Sequence, residues 1–139
     1  MNKEMFWQSS GQRRYVRDYA RYCRTSPYAV LCAVLARVAT VVPPNVVVPA
    51  FVGSHPSPLA VYVAVVGNSG DGKGLADGVA RELVPDLLGA VETMPTSGEG
   101  LVAMFAGRRT IPGDEDRTEL YCVNQRALLS VSEIVTWVR

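Results

Sequence analysis

The stretch that decides the fold reads LAVYVAVVGNSGDGKG and covers residues 59–74. Residues 59–66 are apolar at every position, and a strand that is apolar on both faces is typical of the buried centre of a sheet. From residue 73 to residue 84 the apolar side chains recur at helical spacing, which predicts a helix that ends at Pro85. Its apolar positions are Leu75, Val79 and Leu83. The stretch therefore predicts a buried strand, a glycine-rich turn and a helix, in that order.

The turn between this strand and this helix has the spacing of a phosphate-binding loop. It reads GxxxxGK, followed by one more glycine. Glycine lets the backbone curl so that successive N–H groups point inward, and the helix adds its own N-terminal amides. The ammonium of Lys73 is then placed to reach the β- and γ-phosphates of a nucleotide. The candidate binding residues are Gly67, Asn68, Ser69, Gly70, Asp71, Gly72, Lys73 and Gly74.

The lysine usage strengthens this prediction, whereas the residue after the lysine limits it. Only two of the fourteen basic residues are lysines, and from this composition a chance GxxxxGK arises in about one chain in seventy. The alternative is a glycine-rich turn without a ligand. The usual motif continues with Ser or Thr, whose hydroxyl binds Mg²⁺. Gly74 lacks that hydroxyl, so the sequence favours nucleotide binding over fast hydrolysis and assigns no metal ligand.

Two glutamates are candidates for a catalytic role beside Lys73. A phosphate-loop hydrolase needs a second strand that ends in an acid, which orients water or metal. Residues 127–133 have this form, with Glu133 in the catalytic position and Ser132 where an aspartate is expected. Glu99 lies in a second glycine-flanked segment. The alternative for Glu133 is that it is an ordinary glutamate at the end of a strand. The alternative for Glu99 is that it complements the dipole of a helix whose N-terminus is capped by Ser97.

Two helices are predicted before the strand, after a loose start over residues 1–10. Residues 28–42 form a buried helix that begins at Ser26-Pro27 and ends at Pro43-Pro44. Residues 12–24 form an amphipathic helix with arginines on one side and tyrosines on another. This helix either contacts nucleic acid or packs its tyrosine face and leaves its arginines in solvent. The residues concerned are Arg14, Arg17, Arg21 and Arg24, and Tyr15, Tyr19 and Tyr22.

The remaining segments read as strands and loops. A strand is predicted over residues 46–52, followed by a turn in which His55 is a solvated loop residue. Residues 107–117 are predicted as a polar loop, in which Arg108 and Arg109 are either arginine fingers or a solvated pair. Residues 119–123 and 127–131 are predicted as two strands joined by a tight turn. The predicted domains are a helical segment over residues 1–45 and a nucleotide-binding domain over residues 46–139.

Composition bounds the classes of protein that this chain can belong to. With 139 residues and 48% hydrophobic side chains, it has the size and apolar content of one domain. The net charge of +1 excludes a global electrostatic grip on nucleic acid or membranes, although residues 1–24 carry +4 and residues 71–139 carry −4. Three scattered cysteines favour a reducing cytoplasm over a disulfide framework. The longest apolar run is too short for a membrane span.

The order of these motifs resembles the actinobacterial and phage P-loop ATPases of the RecA-like, primase–helicase type. The resemblance implies an α/β fold, a partial P-loop NTPase sheet preceded by two N-terminal helices. It also implies ATP and Mg²⁺ as cofactors, a Walker B role for Glu133 and a DNA-processing context such as replication. The resemblance covers residues 15–139, and its motifs are Ser26-Pro27, residues 67–74, residues 97–101 and residues 127–133.

Relatives of this type are several times longer, so a missing C-terminal portion or a homo-oligomer is expected. Two other functions stay open at this stage. One is a P-loop kinase-type phosphotransferase, which would need a lid rich in arginine. The other is a non-catalytic truncated remnant that binds nucleotide weakly, which Gly74 and Ser132 favour.

Overall fold

A computed structural model of the chain describes residues 2–50, 54–68, 70–94 and 97–131, and within these residues the fold is mixed α/β, with five helices and three two-stranded sheets. The helices are α1 (Lys3–Gln8), α2 (Gly11–Tyr22), α3 (Pro27–Val41), α4 (Lys73–Leu83) and α5 (Gly98–Phe105). The strands are β1 (Val47–Val48), β2 (Ser57–Pro58), β3 (Val91–Thr93), β4 (Ala106–Ile111), β5 (Asp114–Cys122) and β6 (Ala127–Leu129). The predicted α/β class is confirmed at this level.

The predicted loose start is wrong, because residues 3–8 form α1. The side chain of Asn2 accepts a hydrogen bond from the amide of Glu4 and caps the helix. Trp7 is buried, and its ring lies 4.9 Å from the ring of Tyr28 on α3. A six-residue helix is too short to be stable alone, so these aromatic contacts with α3 stabilise it.

Helices α2, α3 and α4 share one core. Its buried members are Val16, Ala20, Val30, Ala76 and Val79. The alanines let the helix backbones approach closely. Helix α4 is the helix that was predicted after the glycine-rich turn, and that prediction is confirmed. Helix α3 begins at Ser26 and Pro27, as predicted. Its expected complete burial is wrong, because its outer face leaves Leu35 and Val38 exposed.

Two arginines are buried in ion pairs that the sequence did not predict. Arg17 was expected in solvent, yet it is buried between Glu4 of α1, at 2.5 Å, and Asp18, at 2.8 Å. Arg37 of α3 is 1% exposed. Its Nε donates to the carbonyl of Val84, and its Nη1 lies 2.9 Å from Oε1 of Glu92 on β3. Burial of both guanidinium groups is possible because each has carboxylate or carbonyl partners.

A long-range hydrogen bond joins α2 to the end of α4. The hydroxyl of Tyr19 donates to Oε2 of Glu82 at 2.8 Å. This hydrogen bond, the negative charge of Glu82 and partial burial raise the pKa of Tyr19 to about 12. Because the folded-state pKa lies above the ordinary tyrosine value of about 10, the interaction stabilises the fold below pH 10 and is lost as the pH rises toward 12.

Alkaline titration tests this link. We expect the phenolate absorbance of Tyr19, obtained as the difference between wild type and Tyr19→Phe, to appear near pH 12. In Glu82→Gln the same transition should move down toward pH 10, because the charge that opposes ionisation is removed. A Tyr19 transition near pH 10 in the wild-type protein would show that the hydrogen bond is not formed in solution.

The sheet formed by β3 and β6 is parallel, and α4 runs antiparallel to it. Glu92 is paired with Leu128 in the register, and Thr93 with Leu129. Arg81 of α4 lies 2.6 Å from Glu92, in the middle of β3. One turn earlier on α4, Asp77 accepts a hydrogen bond from Ser130, just past the end of β6. The N-terminus of α4 therefore lies beyond the carboxyl ends of both strands.

The predicted central strand over residues 59–66 is wrong. These residues pair with no strand among the described parts of the chain, and all are exposed, with Tyr62 and Val66 each 94% exposed. An apolar run is buried only where neighbouring strands and helices cover both of its faces. Here β6, the nearest strand of the parallel sheet, is separated from residues 58–64 by a groove.

The segment between α5 and β6 is a hairpin rather than a loop. Strands β4 and β5 pair antiparallel from Ala106–Cys122 to Ile111–Asp114, and the turn places Gly113 at a φ of 90°. The predicted loop over residues 107–117 is therefore wrong. The two predicted strands near residues 119–123 and 127–131 exist, but they do not pair with each other. The first pairs with β4 and the second with β3.

Of the earlier segments, the predicted strand over residues 46–52 is described only to residue 50, and β1 covers two of its residues. The predicted turn contributes β2, which pairs with β1. His55 is exposed between them, as expected.

Candidate phosphate-binding site

The glycine-rich turn leads into the one helix of the five described that lacks a side-chain cap. Helices α1, α2, α3 and α5 each have an Asn or Ser side chain that accepts from a first-turn amide. At the start of α4 stands Gly72, which has no such side chain and a φ of 73°. Gly70 has a φ of 90°. Glycine is favoured at both positions because other residues are strained at such angles. The first amides of α4 are therefore not occupied by a cap.

Lys73 folds back over the turn. Its Nζ donates to the carbonyls of Gly67 and Asn68, at 2.7 Å each. The turn is closed from inside by Asp71, whose Oδ2 accepts from the amide of Asn68 at 2.6 Å. A Cβ at position 67 would lie 2.9 Å from this carboxylate oxygen, so any other residue there would have to displace the Asp71 carboxylate. The ammonium, the loop carbonyls and the start of α4 are thus held together as one compact unit.

The chemistry of this unit suits an anion that can replace its internal contacts. A phosphate oxygen offers Lys73 a charged acceptor in place of two neutral carbonyls, and charge-assisted hydrogen bonds are about twice as strong as neutral ones. Asp71 acts in the opposite direction, because its carboxylate lies in the same turn and repels a phosphate. The unit lies beyond the carboxyl ends of parallel strands, where open α/β sheets bind their ligands.

The other candidate residues are placed differently. Ser69, Ser132 and Glu133 lie outside the described residues. Glu99 lies in the first turn of α5, where the hydroxyl of Ser97 accepts from the amide of Gly100 at 3.0 Å. The capping prediction for Ser97 is therefore confirmed. No hydrogen bond or ion pair within the described part of the chain joins Glu99 to the loop.

Arg108 and Arg109 lie on β4 and not in a loop. Arg109 pairs with Glu119 on β5 at 2.6 Å, and its guanidinium lies 5.7 Å from the centre of the Tyr121 ring. Arg108 is exposed. The cross-strand pair gives Arg109 a role in the hairpin.

Sequence reasoning missed two residues at the carboxyl end of the parallel pair. Asp77 is one helical turn after Lys73, and its carboxylate accepts from the hydroxyl of Ser130. The amide of Ser130 donates to the carbonyl of Thr93 and continues the sheet by one residue. The signal in the sequence was the spacing of four between Lys73 and Asp77, which places both on one side of α4.

A groove of about 590 Å³ lies along the segment that leads into the turn. Residues 58–64 line one wall, β6 lines the other, and α3 contributes Ala36, Ala39 and Thr40. Its lining is mostly apolar and includes no residue of the loop 67–74. Its one charged residue among those described, Arg126, already donates to the carbonyls of Val41 and Leu88, so the groove is poorly suited to a phosphate.

The described residues do not form a magnesium site of their own. Within residues 2–50, 54–68, 70–94 and 97–131, no three His, Cys, Asp or Glu side chains gather as metal ligands. Position 74, where the usual motif supplies a hydroxyl, is glycine. Magnesium that accompanies ATP would be held mainly by the phosphate oxygens and water, as is common for this ion.

The sequence matches no protein-family model, and no curated protein or solved structure matches it significantly. Among the described helices, none combines the length and apolar character needed to cross a lipid bilayer.

Proposed function

We propose that this chain is an ATP-binding P-loop domain, and that it belongs to a helicase-like, DNA-processing ATPase of RecA-like type. Two features support the first part: the GxxxxGK spacing, and the position of the turn beyond the carboxyl ends of a parallel strand pair. The motif order from Ser26-Pro27 to residue 133 supports the second part.

The observation that carries the proposal is the position of the Lys73 ammonium. It lies over the glycine turn, 2.7 Å from each of two loop carbonyls, at the start of a helix whose first amides have no cap. A cation next to an uncapped helix N-terminus is an arrangement that favours binding of a polyanion.

The absence of a hydroxyl at position 74 favours binding over rapid turnover. Gly74 has no side-chain oxygen that could bind magnesium. Among the described residues, no three His, Cys, Asp or Glu side chains gather as metal ligands. ATP is then held mainly through its phosphates, by Lys73 and main-chain amides. We therefore expect slow hydrolysis.

Restoring the hydroxyl tests this part of the proposal. A Cβ at position 74 would meet no atom within 4 Å, so Gly74→Ser should fold without strain. We expect it to tighten ATP binding about fivefold with magnesium and not without it, because one added oxygen ligand contributes on the order of 1 kcal/mol. Gly78→Ser on the same helix is the matched control, since position 78 is equally open. An equal gain in both variants would show that helix stability, and not magnesium, is responsible.

Calorimetric titration tests the proposed function as a whole. ATP with magnesium should release heat with one site per chain and raise the melting temperature. Competition between ATP and inorganic triphosphate would show that the phosphates supply most of the affinity. No heat and no thermal shift at millimolar nucleotide would contradict the proposal.

A further inference from the structure

Three tyrosines of α2 form an exposed row of nearly parallel rings. We define the tyrosine row as Tyr15, Tyr19 and Tyr22. The ring centres of Tyr15 and Tyr19 lie 6.0 Å apart with planes at 17°, and those of Tyr19 and Tyr22 lie 6.2 Å apart at 30°. Tyr15 is 61% exposed and Tyr22 is 82% exposed. The sequence pattern was compatible with packing of these rings in the interior, but the outer two face solvent.

The row is held in place by its central member. The hydroxyl of Tyr19 donates to Glu82, near the end of α4, and the ring packs against the shared helix core. Tyr15 and Tyr22 lie on either side of this anchored ring. Since α4 begins at Lys73, the row and the phosphate-binding turn are attached to opposite ends of the same helix.

Charges of both signs lie beside the row. Arg14 and Arg21 are exposed on α2 and form no hydrogen bond or ion pair within the described residues. Asp18, the acid between them, is paired with the buried Arg17 at 2.8 Å. Glu82, on the other side of the row, accepts a hydrogen bond from Tyr19 and keeps its negative charge. Arg14 and Arg21 are therefore the cations on this surface that are available to the phosphates of a nucleic acid.

We propose that the tyrosine row and its flanking arginines bind single-stranded nucleic acid, with bases stacked on Tyr15 and Tyr22 and phosphates at Arg14 and Arg21. Exposed rings stack on bases of any sequence, and neighbouring cations follow the phosphate backbone. A duplex keeps its base faces covered and does not fit this surface. The proposal deepens the DNA-processing part of the proposed function, on which it rests, by naming the surface that contacts nucleic acid. It does not depend on nucleotide binding at residues 67–74.

Fluorescence anisotropy with a labelled oligothymidylate tests the proposal on the full chain. The double variant Tyr15→Ala/Tyr22→Ala should weaken binding at least about 30-fold, because each base stacked on an aromatic ring contributes several-fold to affinity. The double variant Tyr15→Phe/Tyr22→Phe should bind like the wild type, since the rings remain. Tyr62→Ala removes a ring that is 94% exposed elsewhere on the chain and should have no effect. Far-ultraviolet circular dichroism checks that the variants fold.

Salt dependence separates stacking from general charge attraction. Two phosphate contacts on a single strand predict a slope of log K against log salt of about −1.4. Arg14→Gln/Arg21→Gln should flatten this slope, whereas the alanine variants of the tyrosines should keep it. Poly-glutamate, which has charge but no bases, should compete poorly.

Several results would overturn the proposal. They are equal binding of duplex and single strand, unchanged affinity in Tyr15→Ala/Tyr22→Ala, and equal competition by poly-glutamate. The proposal also fails if Tyr15→Ala/Tyr22→Ala converts a dimer into a monomer in sedimentation experiments without changing oligothymidylate affinity. The row would then contact a second copy of the chain. Binding of oligothymidylate without any ATP binding would support nucleic-acid binding by the tyrosine row. It would contradict the proposed ATP binding at residues 67–74.

Discussion

Replacement of Lys73 by alanine is expected to weaken ATP binding about 100-fold. In the wild-type protein the ammonium lies at the turn, 2.7 Å from the carbonyls of Gly67 and Asn68, where it can exchange them for phosphate oxygens. A hydrogen bond to a charged partner contributes about 1.5–3 kcal/mol, and the upper part of that range corresponds to about 100-fold. Calorimetry with ATP and magnesium measures the change directly.

Lys3→Ala is the matched control for this prediction. Lys3 is the only other lysine of the chain and is exposed at the start of α1. Its removal changes the net charge by the same amount but leaves the glycine turn intact. We therefore expect ATP affinity to be unchanged in this variant. Lys73→Arg should recover only part of the affinity, because a guanidinium is larger and planar. Equal losses in Lys3→Ala and Lys73→Ala would show that net charge, and not the turn, governs binding.

Replacement of Glu92 by alanine is expected to lower the free energy of unfolding by about 3 kcal/mol. Glu92 is the carboxylate partner of Arg37, whose side chain is 1% exposed, and it also pairs with Arg81. Without it the guanidinium of Arg37 keeps only the carbonyl of Val84. Removing one partner of a buried pair leaves an uncompensated charge and costs about 3–5 kcal/mol. Urea denaturation followed by circular dichroism measures the loss.

Glu119→Ala is the control for the buried pair. Glu119 pairs with Arg109 at 2.6 Å on the exposed hairpin, and such surface pairs contribute less than about 1 kcal/mol. If Glu92→Ala costs no more than Glu119→Ala, the pair between α3 and β3 does not stabilise the fold as described.

Helices α2 to α5 were predictable because their starts are determined locally, whereas α1 lies in a segment that was expected to be a loose start. Ser26 and Pro27 start α3, and Ser97 starts α5, through hydrogen bonds and backbone angles that involve only neighbouring residues. The glycine turn before α4 was predictable for the same reason, since positive φ angles at Gly70 and Gly72 are a property of the residue itself.

Strand pairing and buried charge were not predictable, because both depend on distant residues. The strand ending at Cys122 was expected to pair with the one beginning at Ala127, yet it pairs with the segment around Arg109, which its polar composition had marked as a loop. The pairing of Arg37 with Glu92 joins positions that are far apart in the sequence. The apolar run before the turn could not reveal that no strand within the described residues would pair with it.

Labelling with an acyl-phosphate derivative of ATP tests most directly whether the Lys73 ammonium reaches a bound triphosphate. A lysine amine near the terminal phosphate attacks the acyl carbon, forms an amide and releases ATP. Because the chain contains two lysines, peptide mass mapping distinguishes Lys73 from Lys3 without ambiguity. The proposed site predicts labelling of Lys73 that excess ATP suppresses, with Lys3 at background. Equal labelling of Lys3 and Lys73, or labelling that ATP does not suppress, would contradict it.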